Sequence, residues 1–118
     1  MIQWTPLQVQ GAWDSLFNAC DQDTQETLLR RLDFLIERGN TAREPISKSL
    51  GKGLFELRAK NARALFYFGP NRTIIFVHGL IKKRMDIPKR DIEMALKIKD
   101  SPNTEREVAY ALNFPNQT

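Results

Sequence analysis

The sequence contains few of the residues that support metal, disulfide or thiol chemistry. Its 118 residues include one cysteine and one histidine. Cys20 has no partner for an internal disulfide and no second cysteine for a metal cluster, and His78 has no pair of carboxylates beside it at ligand spacing. We therefore expect no metal and no cofactor, and we interpret Cys20 as a buried or bystander residue of a protein in the reducing cytoplasm.

Long apolar stretches and nucleotide-binding loops are also missing. No apolar run approaches the roughly 18 residues that a membrane-spanning helix needs. The first six residues lack the basic start and apolar stretch of a signal peptide, and the segment 51–53, Gly-Lys-Gly, lacks the remainder of a phosphate-binding loop. No Ser-His-Asp arrangement can be proposed from spacing. We expect a cytoplasmic protein with a single domain over 1–118.

The charge is distributed unevenly along the chain. The whole sequence has a formal net charge of +4, but residues 48–90 alone carry eleven basic and two acidic side chains, whereas the segments 1–47 and 91–118 are both net acidic. A basic middle segment predicts a surface that binds a polyanion, with nucleic acid as the obvious candidate. Chance clustering on a solvated surface remains the alternative at this point.

Hydrophobic periodicity predicts helices in the first third of the chain. Residues 2–7 are typical of an edge strand, and residues 9–20 have the spacing of a short amphipathic helix. The Asp23–Glu26 segment resembles a capping box. It precedes a longer helix that presents one apolar face and ends at Gly39. That face consists of Leu28, Leu29, Leu32, Leu35 and Ile36.

The period then changes to that of strands. Residues 40–53 are expected to be irregular, and strands are predicted over 54–59, 62–68 and 73–81. The last of these contains Ile-Ile-Phe-Val, which is apolar on both faces and favours a position inside the sheet. Pro88 should open a further helix.

A weaker helix is predicted over 103–112. Helices followed by an antiparallel sheet and a final helix give an α+β order.

A group of basic and phenolic side chains near the strand ends supplies the candidate chemistry. Alternation places Arg63 on the face of its strand opposite four residues built for burial, so we expect Arg63 on an open face near Arg58. In RNA cleavage the 2′-hydroxyl attacks the adjacent phosphate; arginine and lysine can stabilise the charge that develops, and histidine, tyrosine or lysine can move protons. The group comprises Lys52, Arg58, Lys60, Arg63, Tyr67, His78, Lys82, Lys83 and Arg84.

Each of these residues also has a simpler interpretation. His78 follows an apolar strand, where a histidine is more often structural than catalytic. The run from Lys82 to Arg84 is commonly a solvated strand end, and Arg58 and Arg63 could merely flank a sheet. The aromatic residues Phe55, Phe66, Phe68 and Phe76 are expected in the core rather than stacked on bases.

Four motifs between residues 53 and 97 resemble the phage-derived, HigB-like branch of the RelE/ParE toxin superfamily. In that branch a Glu-Leu-Arg strand precedes a Tyr-Arg-apolar-aromatic strand, a His-Gly-Phe-x-Lys-Lys strand end and a Pro-x-x-Glu-Ile-x-x-Ala helix. Here the corresponding segments are 56–58, 62–68, 78–83 and 88–95. The order and spacing match over roughly 45 residues, and the His-Gly-x-x-Lys-Lys element is the most specific part.

The chain departs from the family pattern at four places. Ala62 replaces a tyrosine and so removes a ring that could stack on a base, and Leu80 replaces a phenylalanine. Asp91 stands where glutamate is usual, and Tyr67 lies one position out of step with the family tyrosine.

The resemblance implies a RelE-like fold with two N-terminal helices packed on a small antiparallel sheet, followed by a C-terminal helix. It also implies a toxin of a type II toxin-antitoxin system that cleaves mRNA on the ribosome without metal and so inhibits translation. The implied partners are a helix-turn-helix antitoxin, the ribosome and mRNA, with operator DNA reached only through the antitoxin, and no membrane.

The resemblance also assigns roles to the candidate residues. Arg58, Arg63, Tyr67, His78 and Lys82 become the catalytic candidates, with the two arginines as the phosphate contacts and His78 as the weakest member. The candidates for binding RNA are Lys52, Lys60, Lys83 and Arg84.

Two other functions stay open at this stage. ParE-type proteins share the fold but bind and poison DNA gyrase without nuclease chemistry, because a fold does not fix a function. A non-catalytic RNA-binding module is the other alternative. The basic groups of Arg58, Arg63, Lys82 and Lys83 favour the nuclease.

Overall fold

The computed structural model describes residues 3–83 and 86–101. The predicted helix over 103–112 and the candidate Arg84 lie outside these residues. The order of helices and strands confirms the α+β class, with two helices ahead of the main run of strands. The elements are β1 (Thr5–Gln8), α1 (Ala12–Ala19), α2 (Gln22–Arg38), a 3₁₀ turn (Gly39–Thr41), β2 (Ser47–Gly51), β3 (Leu54–Ala59), β4 (Ala62–Gly69), β5 (Thr73–Ile81) and α3 (Lys89–Lys99).

The five strands form one mixed sheet in the order β1-β5-β4-β3-β2. Strands β3, β4 and β5 are antiparallel, as predicted, and β2, which was not predicted, pairs with β3 in the same way. The expectation of a wholly antiparallel sheet is wrong for β1, which pairs with β5 in parallel, with Thr5 opposite Thr73. A parallel pair needs a long crossover between its strands, and the chain from β1 to β5 passes through both helices and three strands.

Helices α1 and α2 cover one face of the sheet. Alternate residues of the strands, including Leu57, Ala64 and Phe66, pack there against apolar side chains of the helices such as Trp13 and Leu28. Phe55 and Phe68 pack against the same cluster. The four phenylalanines at 55, 66, 68 and 76 therefore belong to this core, as predicted.

Helix α3 covers part of the opposite face. Its Ala95 is buried with Leu65, Ile75 and Val77 of the central strands. The expectation that this face is open is therefore wrong for Arg63, whose exposed fraction is only 9%. The sequence showed the alternation of β4 correctly, but not that a helix packs over the second face.

A β-bulge in β5 changes which face its final residues occupy. Leu65 pairs with His78 while Phe66 pairs with Phe76, which leaves Val77 as the extra residue. A bulge interrupts the strict alternation of side chains. Val77 packs on the α3 side, and the next residue, His78, also reaches α3.

Two local features differ from the sequence predictions. Helix α2 begins at Gln22, and its N-cap is Asp21, whose side chain accepts a hydrogen bond from the backbone of Thr24, rather than Asp23. The segment 40–53 is not wholly irregular, because Ser47–Gly51 forms the edge strand β2. The predicted edge strand β1 and the bounds of β3 and β5 are confirmed.

Candidate functional site

The site is built around two arginines on neighbouring strands. Arg58 of β3 and Arg63 of β4 are opposite each other in the register. Like charges directly opposite destabilise an antiparallel pair, and Glu56 lies between them to offset this. Its Oε1 accepts a hydrogen bond from Nε of Arg58 at 2.6 Å, and its Oε2 is 3.9 Å from Nε of Arg63.

Backbone carbonyl groups hold the guanidinium group of Arg63 and bring in a third arginine. Nη1 of Arg63 donates to the carbonyl oxygens of Lys60 at 2.6 Å and Ala62 at 3.0 Å. Nη1 of Arg31, on α2, donates to the carbonyl oxygen of Arg58 at 3.1 Å. The cluster thus contains three arginines and one carboxylate, that of Glu56, and this excess of positive charge suits a phosphate anion.

Burial of Arg63 lowers the pKa of its guanidinium group from the ordinary value. The carboxylate of Glu56 opposes this effect, whereas the nearby Arg58 and Arg31 lower the pKa further. The Nε atom of Arg63 is buried and has no hydrogen-bond partner among residues 3–83 and 86–101. A buried donor of this kind is costly to leave unsatisfied, and the carboxylate of Glu56, 3.9 Å away, offsets that cost only through its charge.

More basic side chains lie at the same end of the sheet. The backbone N–H of Lys82, just after β5, donates to the carbonyl oxygen of Asn61 in the β3–β4 turn at 2.7 Å. Lys60, in that turn, forms an ion pair with Asp23 at 2.6 Å. The predicted residues Arg58, Lys60, Arg63 and Lys82 are thus brought to one end of the sheet.

An open cavity adjoins this end of the sheet. It has a volume of about 760 Å³ between the end of β5 and the start of α3. Lys82, Lys83 and Arg90 contribute basic side chains to its lining, and Asp86 and Asp91 contribute carboxylates. Leu80 and Ile87 contribute apolar surface. Leu80 pairs with Arg63 across the strands, so the cavity and the arginine cluster are neighbours.

His78 is held by helix α3. Its Nε2 lies 2.7 Å from Oδ1 of Asp91, and both side chains are mostly buried. Gly79 follows it at a close contact with α1, where an added Cβ would lie 2.6 Å from Cβ of Leu16. Both residues of the His-Gly step therefore have structural contacts, and these favour the structural interpretation of His78.

The remaining candidates lie elsewhere on the sheet. Tyr67 shares a face with Arg63 but is four residues further along β4, roughly 13 Å away, and Nζ of Lys99 lies 5.6 Å from its ring centroid. Lys52 is in the β2–β3 turn, at the end of β3 opposite Lys60. The structure does not bring Tyr67 or Lys52 together with the arginine cluster.

Comparison with known protein families identifies the chain. The family model "Phage derived protein Gp49-like (DUF891)" matches residues 15–100. The chain belongs to this Gp49-like family. The family lies within the RelE/HigB-like group of toxin-antitoxin toxins, so the expected resemblance is confirmed at the level of that group, and an antitoxin partner is implied. A search of curated proteins found no matching relative.

The Gp49-like fold explains why two separated motifs occur together. The His-Gly element on β5 and the Pro-led helix α3 are joined by the contact between His78 and Asp91. Asp91, where the family pattern has glutamate, is therefore still able to make an acidic contact with the histidine. The contact between His78 and Asp91 thus holds α3 against the sheet face that carries Arg63.

Three residues of the candidate site were not predicted from the sequence. Glu56 and Arg90 occur within the motif segments 56–58 and 88–95 without a role of their own, and Arg31 lies on a helix far from the basic segment. The motif Glu-Leu-Arg was the one available signal, because residues two apart on a strand share a face. Nothing in the sequence indicated that α2 would place Arg31 beside Arg58.

Cys20 and the described helices offer nothing further to the chemistry. Burial raises the pKa of the Cys20 thiol, and nearby Asp21 raises it further, which disfavours the reactive thiolate. Within the described residues no group of three or more His, Cys, Asp or Glu side chains could hold a metal ion. No helix in that part of the chain is both long and apolar enough to cross a bilayer.

Proposed function

We propose that this protein is the toxin of a type II toxin-antitoxin pair and that it inhibits translation by cleaving ribosome-bound mRNA without a metal ion. The observation that carries the proposal is the pair of arginines, Arg58 and Arg63, beside an open cavity whose lining includes three basic and two acidic residues. Family membership supports the toxin class. The cytoplasm would be the place of action, since the ribosome is the target.

The reaction would be attack of the RNA 2′-oxygen on the adjacent phosphorus. The new O2′–P bond forms while the P–O5′ bond breaks, giving a 2′,3′-cyclic phosphate and a free 5′-hydroxyl. Negative charge on the phosphate oxygens increases in the transition state. Guanidinium donors that are already held in place stabilise that charge without reorganising, and the requirement for a 2′-hydroxyl distinguishes RNA from DNA.

The location of each residue indicates its proposed role in the reaction. Arg58, whose side chain is 27% exposed, is the more accessible phosphate contact, and Arg63 supports it from a buried position. Lys82 is the proton-transfer candidate closest to the β3–β4 turn, and Lys83 with Arg90 would hold the RNA backbone along the cavity. Tyr67 and His78 would have secondary roles because of their distance and their contacts.

The implied partner is an antitoxin, and we infer that it is a helix-turn-helix protein that also binds operator DNA. The toxin would reach that DNA only through the antitoxin.

A gyrase-binding toxin without nuclease activity remains the second candidate. The burial of Arg63 and the engagement of His78 by Asp91 favour it, because both reduce the groups available for chemistry. The two functions predict opposite results in one assay.

The test is cleavage of mRNA on purified ribosomes, followed by primer extension. Arg63→Ala should reduce the cleavage rate roughly a hundred- to a thousandfold, as expected for loss of one pre-positioned donor. Arg72→Ala, in the exposed β4–β5 turn, makes the same change away from the site and should leave the rate unaltered. Circular dichroism checks the fold.

Because Arg63 is buried, replacing it with alanine could unfold the protein, so a second variant is needed to separate loss of the fold from loss of activity. Arg63→Lys keeps a positive charge but loses the planar fork of donors, and it should also cleave slowly while folding normally. Full activity in a folded Arg63→Ala protein would remove Arg63 from the site. Absence of cleavage by the unaltered protein, together with inhibition of gyrase, would establish the second candidate instead.

A further inference from the structure

Glu56 is a buried carboxylate to which the proposed chemistry gives no part. It lies on β3, two residues before Arg58, and its exposed fraction is 3%. Buried carboxylates are costly unless they are paired and hydrogen-bonded. A buried carboxylate inside a basic cluster is therefore expected to stabilise the arrangement of the basic side chains around it.

The contacts of Glu56 divide its two oxygens between the two arginines. Oε1 accepts the 2.6 Å hydrogen bond from Nε of Arg58, which is charge-assisted on both sides. Oε2 is 3.9 Å from Nε of Arg63, within electrostatic range but too long for a hydrogen bond. Among the described residues no hydrogen bond uses a terminal Nη atom of Arg58, so the bond to Nε fixes that side chain and leaves its outer donors available.

The register explains why one carboxylate reaches both arginines. Glu56 pairs with Leu65 across the strands, and Arg63 lies two residues before Leu65, on the same face. Diagonal neighbours in an antiparallel pair are roughly 7–8 Å apart at Cα, within reach of long side chains. Arg58 is two residues along β3, also on this face. Glu56 therefore lies within reach of both arginines.

The depth of Glu56 excludes a direct role on the substrate. With 3% exposure and both oxygens directed to the arginines, its carboxylate cannot approach the 2′-hydroxyl as a base without breaking those contacts. Its effect on cleavage has to pass through Arg58 and Arg63.

We propose that Glu56 is a positioning residue that holds Arg58 and Arg63 side by side, so that both guanidinium groups present donors to one phosphate. This inference rests on the proposed nuclease function. Without the negative charge, the two arginines would repel each other across the strands, and Arg58 would lose the bond that sets its direction. RNA would still bind through the lysines near the cavity, but the phosphate would be cleaved slowly.

The experiment compares Glu56→Gln with Glu93→Gln in single-turnover cleavage on programmed ribosomes. Glu93 is an exposed residue of α3 whose substitution makes the same change in charge. Glu56→Gln should reduce the maximal rate roughly ten- to a hundredfold, the range for a lost charged hydrogen bond, while the half-saturating toxin concentration changes less than about threefold. Glu56→Asp retains the charge and should recover part of the rate.

These outcomes separate positioning from mere structure. A folded Glu56→Gln protein that cleaves at the unaltered rate would overturn the proposal, and so would a change confined to the half-saturating concentration. Equal losses in Glu56→Gln and Glu93→Gln would also overturn it, because net charge alone would then explain the effect.

A measurement that does not depend on cleavage distinguishes failure of this inference from failure of the proposed function. By NMR, the Nε–H proton of Arg58 should exchange with solvent at least about tenfold faster in Glu56→Gln than in the unaltered protein. If the unaltered protein never cleaves mRNA, the proposed function fails, but faster exchange would still support positioning by Glu56. Unchanged exchange would overturn the positioning role whatever the cleavage result.

Discussion

At the scale of single residues, the contacts of Gly79 show how closely α1 approaches the sheet. An added Cβ would meet Cβ of Leu16 at 2.6 Å and its Cδ2 at 3.1 Å. Leu16 is itself buried, with 4% exposure, so it has little room to move. The glycine of the His-Gly element is therefore explained by packing rather than by chemistry.

Gly79→Ala is predicted to destabilise the protein by about 1–3 kcal/mol, the usual cost of overpacking a core. The measurement is urea unfolding followed by circular dichroism. Combining it with Leu16→Gly should cost at least about 0.5 kcal/mol less than the sum of the two single changes, since glycine lacks the Cβ that the added methyl group would meet. Strict additivity of the two changes would contradict the packing explanation.

A residue of the site could be predicted from the sequence only where its contacts are with residues close to it along the chain. Arg58 and Arg63 were predicted to be neighbours because a hairpin with a short turn places them opposite each other. The burial of Glu56 was not predicted, because an acidic residue in an alternating strand normally indicates a solvent-facing side chain. Its burial depends on elements that lie far away in the sequence.

At the scale of helices and strands, α3 is the element that covers part of the sheet face on which Arg63 lies. It covers Leu65, Ile75 and Val77 and starts at the edge of the open cavity. Its connection to β5 through His78 and Asp91 is a single short contact between mostly buried groups. Losing that contact should affect α3 more than the other helices.

Asp91→Ala is predicted to reduce the free energy of unfolding by about 1–3 kcal/mol, the range for a hydrogen bond to a charged group. Amide hydrogen exchange should increase in α3 while the exchange of α2 is unaltered. Glu93→Ala, on the exposed side of the same helix, serves as the matched control and should change neither quantity. An equal rise in exchange throughout the molecule would show that the contact does not act locally on α3.

Strong local patterns made most elements predictable. Strands β3 and β5 have alternating or continuous apolar residues bounded by turns, and their bounds were predicted correctly. Strand β2 was missed because Ser-Lys-Ser-Leu-Gly has neither an apolar period nor β-branched residues. It becomes a strand only because β3 offers it an edge to pair with, and such long-range pairing overrides weak local preference.

At the scale of the whole molecule, the basic segment 48–90 is divided between the two ends of the sheet. Lys82 and Lys83 lie at the end that holds the arginine cluster, whereas Lys52 and Arg72 lie in turns at the opposite end. The charge count alone could not predict this division, because it depends on how the strands pair. RNA bound at one end should interact only weakly with the basic side chains at the other end, since salt at physiological ionic strength screens exposed charges over about 8 Å.

The division predicts how RNA affinity depends on salt. Changing both Lys82 and Lys83 to alanine should weaken binding and flatten the slope of log affinity against log salt by up to about 1.4, since each phosphate contact of a single strand contributes about 0.7. The same double change at Lys52 and Arg72 should alter the slope much less. Fluorescence anisotropy with a labelled RNA over a range of salt concentrations measures both slopes. A larger effect at Lys52 and Arg72 would place the RNA-binding surface at the other end of the sheet.

Because β1 pairs in parallel with β5, the first strand of the chain cannot join the sheet until β5 has been synthesised. Thr5 leaves the ribosome early but has to wait for Thr73, its partner in the register. The antiparallel strands β2 to β5 can pair as they emerge, because consecutive strands are neighbours. The sheet is completed only after β5 has been made, and α3, which covers part of the sheet face that carries Arg63, is synthesised later still. An antitoxin already present would therefore meet a nascent chain whose sheet face is still uncovered.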